Sequence, residues 1–235
     1  MAKFKRKPDT PALHLVQEPD RERFTPPKPL TPQTEAQRLL LSSLRSNTLT
    51  LSEGSAGTGK TYVALAYAAQ LLAEHKIDRL ILTRPLIGVD GEDEKIGALP
   101  GELESKMFFW ALPMMDILEE RLGPSHVKLL LKSGRIRVAP MAYLRGSSFS
   151  DAFIHCTEAQ NTTPAQIKML LTRVGDGTKV CLEGDTRQSD LRRESGLADA
   201  LVKLADMRGV GVVTFTRQDV VRSGFCQQIL DRYEA

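Results

Sequence analysis

A chain of 235 residues with 41% hydrophobic content is able to bury one large core or two small ones, which excludes a wholly disordered protein. Its 32 Lys and Arg against 29 Asp and Glu leave a formal charge of +3, and all of that excess falls in residues 1–32, where seven basic residues face four acids. The remainder is neutral, so a basic nucleic-acid-binding domain is excluded and any such affinity must come from a local patch.

The first 32 residues also carry seven of the thirteen prolines. With no sustained apolar period they cannot offset the entropy of ordering, and a disordered, Pro-rich basic arm is expected over 1–32, with one domain over 33–235. Lys3, Lys5, Arg6 and Lys7 are able to touch phosphates or simply to solvate the tail. A helix is predicted from Gln33, where Ala36, Leu39, Leu40 and Leu44 share one face. Gln37 stands to the side of that stripe, looking toward whatever lies before the next element.

Residues 48–52 alternate like a strand, and 62–74 are rich in Ala and Leu without Gly or Pro, like a helix. Between them lies Gly54-Ser-Ala-Gly-Thr-Gly-Lys-Thr61, a full match to the phosphate-binding loop of nucleoside triphosphatases. Glycines at 54, 57 and 59 let the backbone turn tightly, so that with Ser55, Ala56 and Thr58 it aims successive N–H groups at phosphate oxygens. Lys60 is then placed to reach the β and γ phosphates and the Thr61 hydroxyl to bind Mg²⁺. The strand, loop, helix order is what the mechanism needs, because a helix N-terminus adds N–H groups and a favourable dipole. A Gly-rich loop that only turns the chain is the plain alternative.

Further along, 79–83 is an apolar run of the kind that fills a central parallel strand, ended by Arg84-Pro85. Residues 87–101, rich in Gly and acids, are predicted to be a loop over the ligand-facing sheet edge. A helix follows over 102–122, interrupted by Pro113. Its Phe108, Phe109 and Trp110 point different ways around a helix, which favours packing over base stacking. Helix is predicted at 125–133, strand at 135–139 and 151–157, helix at 164–174 with Thr163 as N-cap and Pro164 at N1, strand at 179–183, helix at 196–207, strand at 210–216 and a last helix at 218–233. Strands and helices alternating at this spacing give an α/β fold, a three-layer parallel sheet covered on both faces.

No apolar run approaches the roughly 18 residues that a membrane span needs, and no apolar stretch follows the basic N-terminal residues. Cys156, Cys181 and Cys226 lack metal-ligand spacing and read as reduced thiols. A cytoplasmic protein with no membrane partner is expected.

In such folds ligands sit beyond the carboxyl ends of the strands. Glu158, just after the strand at 151–157, is a candidate base to deprotonate water for attack on a γ phosphate; a surface acid is the alternative. Gln188, after the strand at 179–183, is a candidate to sense the γ phosphate or hold that water, against a Gly-Asp turn of no catalytic meaning.

Thr83-Arg-Pro85, Glu158-Ala-Gln160 and Gly184-Asp185 with Gln188, in this order after the phosphate loop, resemble the first RecA-like domain of superfamily 1 helicases. More closely, the chain resembles the PhoH family of single-domain ATPases, sharing Gly57 to Thr61, Ile81 to Pro85, Leu99 to Gly101, Ala152 to Ile154, Glu158 to Thr162, Leu171 to Arg173, Gly184, Asp185, Gln188 and Asp219 to Arg222. The match covers roughly 33–233. The resemblance implies a RecA-like P-loop NTPase domain binding ATP and Mg²⁺, with Gln37 at the adenine. It implies RNA or single-stranded nucleic acid as partner, lying near Arg84, the 87–101 loop and Arg145. It also implies assembly of copies into a ring, a hexamer being one such arrangement, in which Arg222 would reach a neighbour's nucleotide as a charge-stabilising finger.

Two residues depart from the family pattern. Thr157 stands where the family has Asp, the acid that helps hold Mg²⁺ through Thr61 or a water, so the metal set carried over is Thr61, Thr157 and Glu158. Ser223 stands where the family tends to have His. An uncharged residue 157 implies weaker Mg²⁺ binding and slow turnover, and an ATP-dependent assembly module with negligible hydrolysis is the second reading.

Overall fold

The computed structural model describes residues 29–85, 103–191, 194–221 and 232, with backbone alone over 103–109. Most of the expected arm (1–28), the 87–101 loop, Arg222, Ser223 and Cys226 therefore lie outside the described residues. Six parallel strands form one sheet in the order β3-β2-β4-β5-β1-β6. They are β1 (Leu49–Glu53), β2 (Arg79–Thr83), β3 (Ile136–Val138), β4 (Ala152–Cys156), β5 (Lys179–Gly184) and β6 (Val210–Thr214). All fall within two residues of the predicted strands.

Side chains alternate across a strand, and here both sides are covered. Leu80, Leu82, Phe153, Cys181 and Val213 face α1 (Glu35–Ser46), α2 (Lys60–Ala73), α3 (Leu103–Leu122) and α4 (Pro124–Lys132). Leu49, Leu51, Ile81, Ile154, Val180 and Leu182 face α5 (Pro164–Leu171) and α6 (Gly196–Leu204). The three layers expected from the sequence are those observed.

Thr50 and Ser52 of β1 are both buried, because β1 runs between β5 and β6 with helices on either side. Thr50 meets Ser43 of α1, hydroxyl to hydroxyl, at 2.9 Å. The apolar stripe of α1 is rotated from the predicted one: Leu39 is exposed, and Leu41 joins Ala36, Leu40 and Leu44 in the core.

Caps explain where several helices start. Thr34 caps α1 by accepting the Gln37 N–H, and Thr163 caps α5 in a reciprocal capping box with Gln166, Pro164 following at N1 as predicted. The helix expected from Gln218 does not begin there. A single 3₁₀ turn, Arg217–Asp219, is closed by a Thr216–Asp219 box, and the Val221 N–H is committed to Gly57 O at 3.0 Å instead of to a helical carbonyl. The rest of that predicted helix lies outside the described residues apart from Arg232, which is helical.

Cys156 and Cys181 are free and fully buried. Burial raises both thiols far above their ordinary pKa, so neither is a nucleophile. Among the described residues no helix is long and apolar enough to cross a membrane.

Candidate functional site

The carboxyl ends of β1, β5 and β4 lie side by side, and the loops that leave them build one site. The loop after β1 opens at Gly54, whose φ of +138° and whose missing Cβ, which would stand 2.4 Å from Phe215 O, exclude any other residue. Gly57 and Gly59 are also left-handed, and Gly59 leads directly into α2 at Lys60. Ser55 is half-buried, Ala56 and Gly57 form the exposed crest, and Thr58 is buried. Gln37 is buried beneath the loop, where its Nε2 donates to Thr58 O at 3.0 Å. The sideways position read from the sequence thus becomes a brace between α1 and the loop.

Lys60 is folded back on the loop: Nζ donates to Gly54 O and Ser55 O, each at 2.7 Å, and to Thr58 Oγ1 at 3.2 Å. Burial pushes the ammonium below its ordinary pKa, against the attraction of Glu183, Asp185 and Glu158. Its Nζ also lies 5.7 Å from the centre of the Phe215 ring.

Next to it, Thr61 Oγ1 donates to Glu183 Oε1 at 2.6 Å. Glu183, at the end of β5, is only 4% exposed, and its Oε2 lies 3.3 Å from Nε2 of the buried His155. That approach is not aligned as a hydrogen bond, and Glu183 Oε2 has no hydrogen-bond partner. Burial alone would raise the Glu183 carboxyl; His155, the Thr61 hydroxyl and Lys60 outweigh it and hold the group below the ordinary carboxylate value. Thr157 lies just past β4, buried, its N–H donating to Thr83 O at 3.1 Å.

Glu158 follows, with an exposed side chain and a left-handed backbone, φ +53°. A non-glycine residue held there stores about 1–3 kcal/mol, a form of strain that gathers at functional sites. Gln160 holds it in place: its Nε2 donates to Glu158 Oε2 at 2.7 Å while its Oε1 accepts the Asp185 N–H at 3.3 Å. Gln188 is exposed on the 3₁₀ turn Thr186–Gln188 directly after β5. Asn161 pairs twice with Asp190, at 3.0 and 2.8 Å, and Thr186 hydrogen-bonds Glu53 at the end of β1. The Glu158 and Gln188 segments and the phosphate loop are thereby joined.

Gly184 makes the joint possible, since a Cβ there would lie 2.2 Å from Gln160 Oε1 and 2.9 Å from its backbone N. Gly184→Ala is expected to lower stability by about 1–3 kcal/mol, the usual range for overpacking, read as a fall of several degrees in Tm, and to push Gln160 off Glu158.

Arg84, after β2, lies over the Trp110 ring at 5.4 Å, so Trp110 serves packing, while the side chains of Phe108 and Phe109 lie outside the described residues. Arg145 is exposed after the turn Met141–Leu144, which begins with the Met141 N–H donating to Arg84 O at 3.1 Å. Two residues of the site, Gln160 and Glu183, had no role assigned from sequence. Gln160 sits inside the Glu-Ala-Gln match, and an acid closing an otherwise apolar strand was the available signal for Glu183.

The sequence profile of the family described as PhoH-like protein matches residues 29–234. The chain belongs to the PhoH family. It is 42% identical over 204 residues to a PhoH-like protein of Synechocystis sp., covering 86% of this chain and 61% of that one. It is 41% identical to Protein PhoH of Escherichia coli K12 over 87% of this chain and 58% of that one, and 39% identical to a PhoH-like protein of Bacillus subtilis over 88% and 65%. The chain thus spans roughly three-fifths of the length of these curated relatives. Among solved structures, two crystal forms of the large terminase from a thermophilic bacteriophage, one in complex with ADP, align over 87% and 86% of this chain and 50% and 49% of theirs, at TM-scores of 0.48 and 0.46 and 13% identity. The α/β, three-layer parallel sheet with its phosphate loop is the RecA-like P-loop NTPase arrangement that the PhoH resemblance implied. Within this PhoH-family chain the loop, Glu158 and Gln188 share one edge of the sheet, and Arg222 lies outside the described residues.

Proposed function

We propose that this chain binds ATP on residues 54–61 and hydrolyses it to ADP and phosphate, in the service of RNA or single-stranded nucleic acid held by a ring of copies. The observation that carries the reading is Glu158, an exposed carboxylate fixed by Gln160 and close enough for its charge to act on Lys60. Lys60 and the loop N–H groups would neutralise the β and γ phosphates. Glu158 would take a proton from the attacking water as the new P–O bond forms and ADP leaves, and Gln188 would orient that water. The Thr61 hydroxyl would help hold Mg²⁺, which when bound would supply positive charge against that developing on the phosphate. The residues present fit it: the Thr61 hydroxyl and the buried Glu183 carboxylate are hard oxygen donors, and Mg²⁺ needs only one or two carboxylates beside the substrate phosphates. Gln37, buried with its amide between the Gln33 N–H and Thr58 O, would have to leave that brace to meet the adenine. Nucleic acid would lie along the strand ends near Arg84 and Arg145.

Lys60→Ala is expected to weaken fluorescent ATP-analogue binding by tens to about a hundredfold, as loss of a charge-assisted hydrogen bond implies. Phosphate release assayed with and without RNA or DNA, together with light scattering with and without ATP, tests the rest. Unchanged nucleotide affinity in Lys60→Ala would remove the basis of the proposal.

Thr157 supports the second reading, an assembly module in which ATP binds and hydrolysis is negligible. If wild type releases phosphate no faster than Lys60→Ala while Thr157→Asp is active, the module reading replaces the enzyme.

A further inference from the structure

Phosphoryl transfer in a phosphate-loop site places a carboxylate near the loop hydroxyl to hold Mg²⁺. In this chain the strand that carries Glu158 ends in Thr157, which brings no charge. The sheet register shows where a charge is available instead. β5 pairs with β4 up to Cys156 opposite Leu182, so Glu183 is one step further, level with Thr157. On its other side Glu183 pairs with Ser52 of β1, one strand nearer the phosphate loop. Residues paired across a sheet share a face, and Glu183 shares that of Cys181, which packs with α2, whose N-terminus carries Lys60 and Thr61.

From there the Glu183 carboxylate reaches Thr61 Oγ1 at 2.6 Å. Its second oxygen is buried, faces His155 Nε2 at 3.3 Å outside hydrogen-bond alignment, and has no hydrogen-bond partner. Ser52 Oγ and both ring nitrogens of His155, which occupy the same face, are likewise buried without hydrogen bonds. Buried polar atoms are ordinarily satisfied, and a cluster of exceptions calls for an occupant or an ion. Oε1 is held by the Thr61 hydroxyl that a phosphate loop uses for its metal, and Oε2 faces only the His155 ring, whose attraction helps keep the carboxyl below its ordinary value.

We propose that Glu183 supplies, from the neighbouring strand, the carboxylate that residue 157 lacks, holding Mg²⁺ against Thr61, directly or through water, when nucleotide is bound. Glu183 is in this sense a metal-positioning residue, supplying a charge that Thr157 does not carry. The inference rests on the nucleotide-binding reading above and refines it.

The test is Mn²⁺ titration of the full chain with ADP, followed by electron paramagnetic resonance, beside ADP affinity measured in EDTA. Glu183→Gln is expected to weaken Mn²⁺ binding 10–100-fold, the usual effect of removing such a partner, while ADP affinity in EDTA stays within about twofold. Thr157→Asp added to Glu183→Gln is expected to restore most of the Mn²⁺ affinity, which a merely structural role for Glu183 would not allow. Wild-type Mn²⁺ affinity in a folded Glu183→Gln variant overturns the inference alone; failure of the wild type to bind ADP even in EDTA overturns the nucleotide reading with it. Should Glu183→Gln not fold, anomalous scattering from Mn²⁺ in the wild-type ADP complex decides. An ion within direct or one-water reach of Glu183 upholds the assignment, and an ion held by Glu158 or Asp185 with Glu183 still turned to His155 overturns it.

Discussion

Glu158→Gln is expected to reduce ATP-dependent phosphate release by about 10²–10⁴-fold, the span of general-base contributions, with ADP affinity within about twofold of wild type. The amide keeps the size of the side chain and its contact with Gln160 but cannot accept a proton. The structure makes this substitution unusually clean, because Glu158 is exposed and bears no load in the core. Its placement comes from the backbone, held left-handed at φ +53°, and from Gln160, which reaches across to the Asp185 N–H. Gln160→Ala should therefore lower the same rate by a smaller factor, through loss of orientation alone. If Glu158→Gln retains wild-type turnover, the base is another group, and Asp185, close enough for its charge to act on Lys60, is the next to replace.

Much of this architecture is written locally. The phosphate loop announces itself through glycines that must take positive φ, and the central strands through apolar runs that a doubly covered parallel sheet requires. Thr163 and Pro164 carry their helix start in the sequence, and Glu158 and Gln188 are legible because they follow strands whose ends are legible. What escaped depends on partners far along the chain. Thr61 and Glu183 meet across 122 positions, and only the order of the strands, with β5 between β4 and β1, brings them together. The same holds for Gln160, whose value lies in touching Glu158 and Asp185 at once. Local periodicity misled in α1, where Leu39 is exposed, Leu41 is buried and the buried Gln37 donates to Thr58 O. The helix expected at 218 yielded to a capping box that closes after one turn and to the bond between Val221 and Gly57.

Arg222→Ala is expected to lower phosphate release by about 10³–10⁵-fold, the range for removal of an arginine finger, with nucleotide affinity changed far less. Lys60, Glu158 and Gln188 all approach from one edge of one sheet, so a further positive charge on the γ phosphate has to be brought by a separate element. The segment that leads to Arg222 is tightly fixed. Asp219 closes the Thr216 turn; burial acts to raise its carboxyl, and bonds from Thr216, Thr34 and Ala36 overcome this and keep it below its ordinary value. Val221 is then tied to the crest of the phosphate loop. Arg222, next in the sequence to Val221, could serve its own copy's loop or, in a head-to-tail ring, the next one, and mixing inactive variants separates the two. Arg222→Ala copies retain a sound loop, and Lys60→Ala copies retain the arginine. If the finger acts across a subunit contact, an equal mixture forms competent sites at about one interface in four, because each closed head-to-tail contact joins one copy's loop to its neighbour's arginine, and phosphate release returns to about that share of wild type. If the mixture stays as inactive as its components while light scattering shows mixed rings, Arg222 serves its own loop and the ring is not what completes the site.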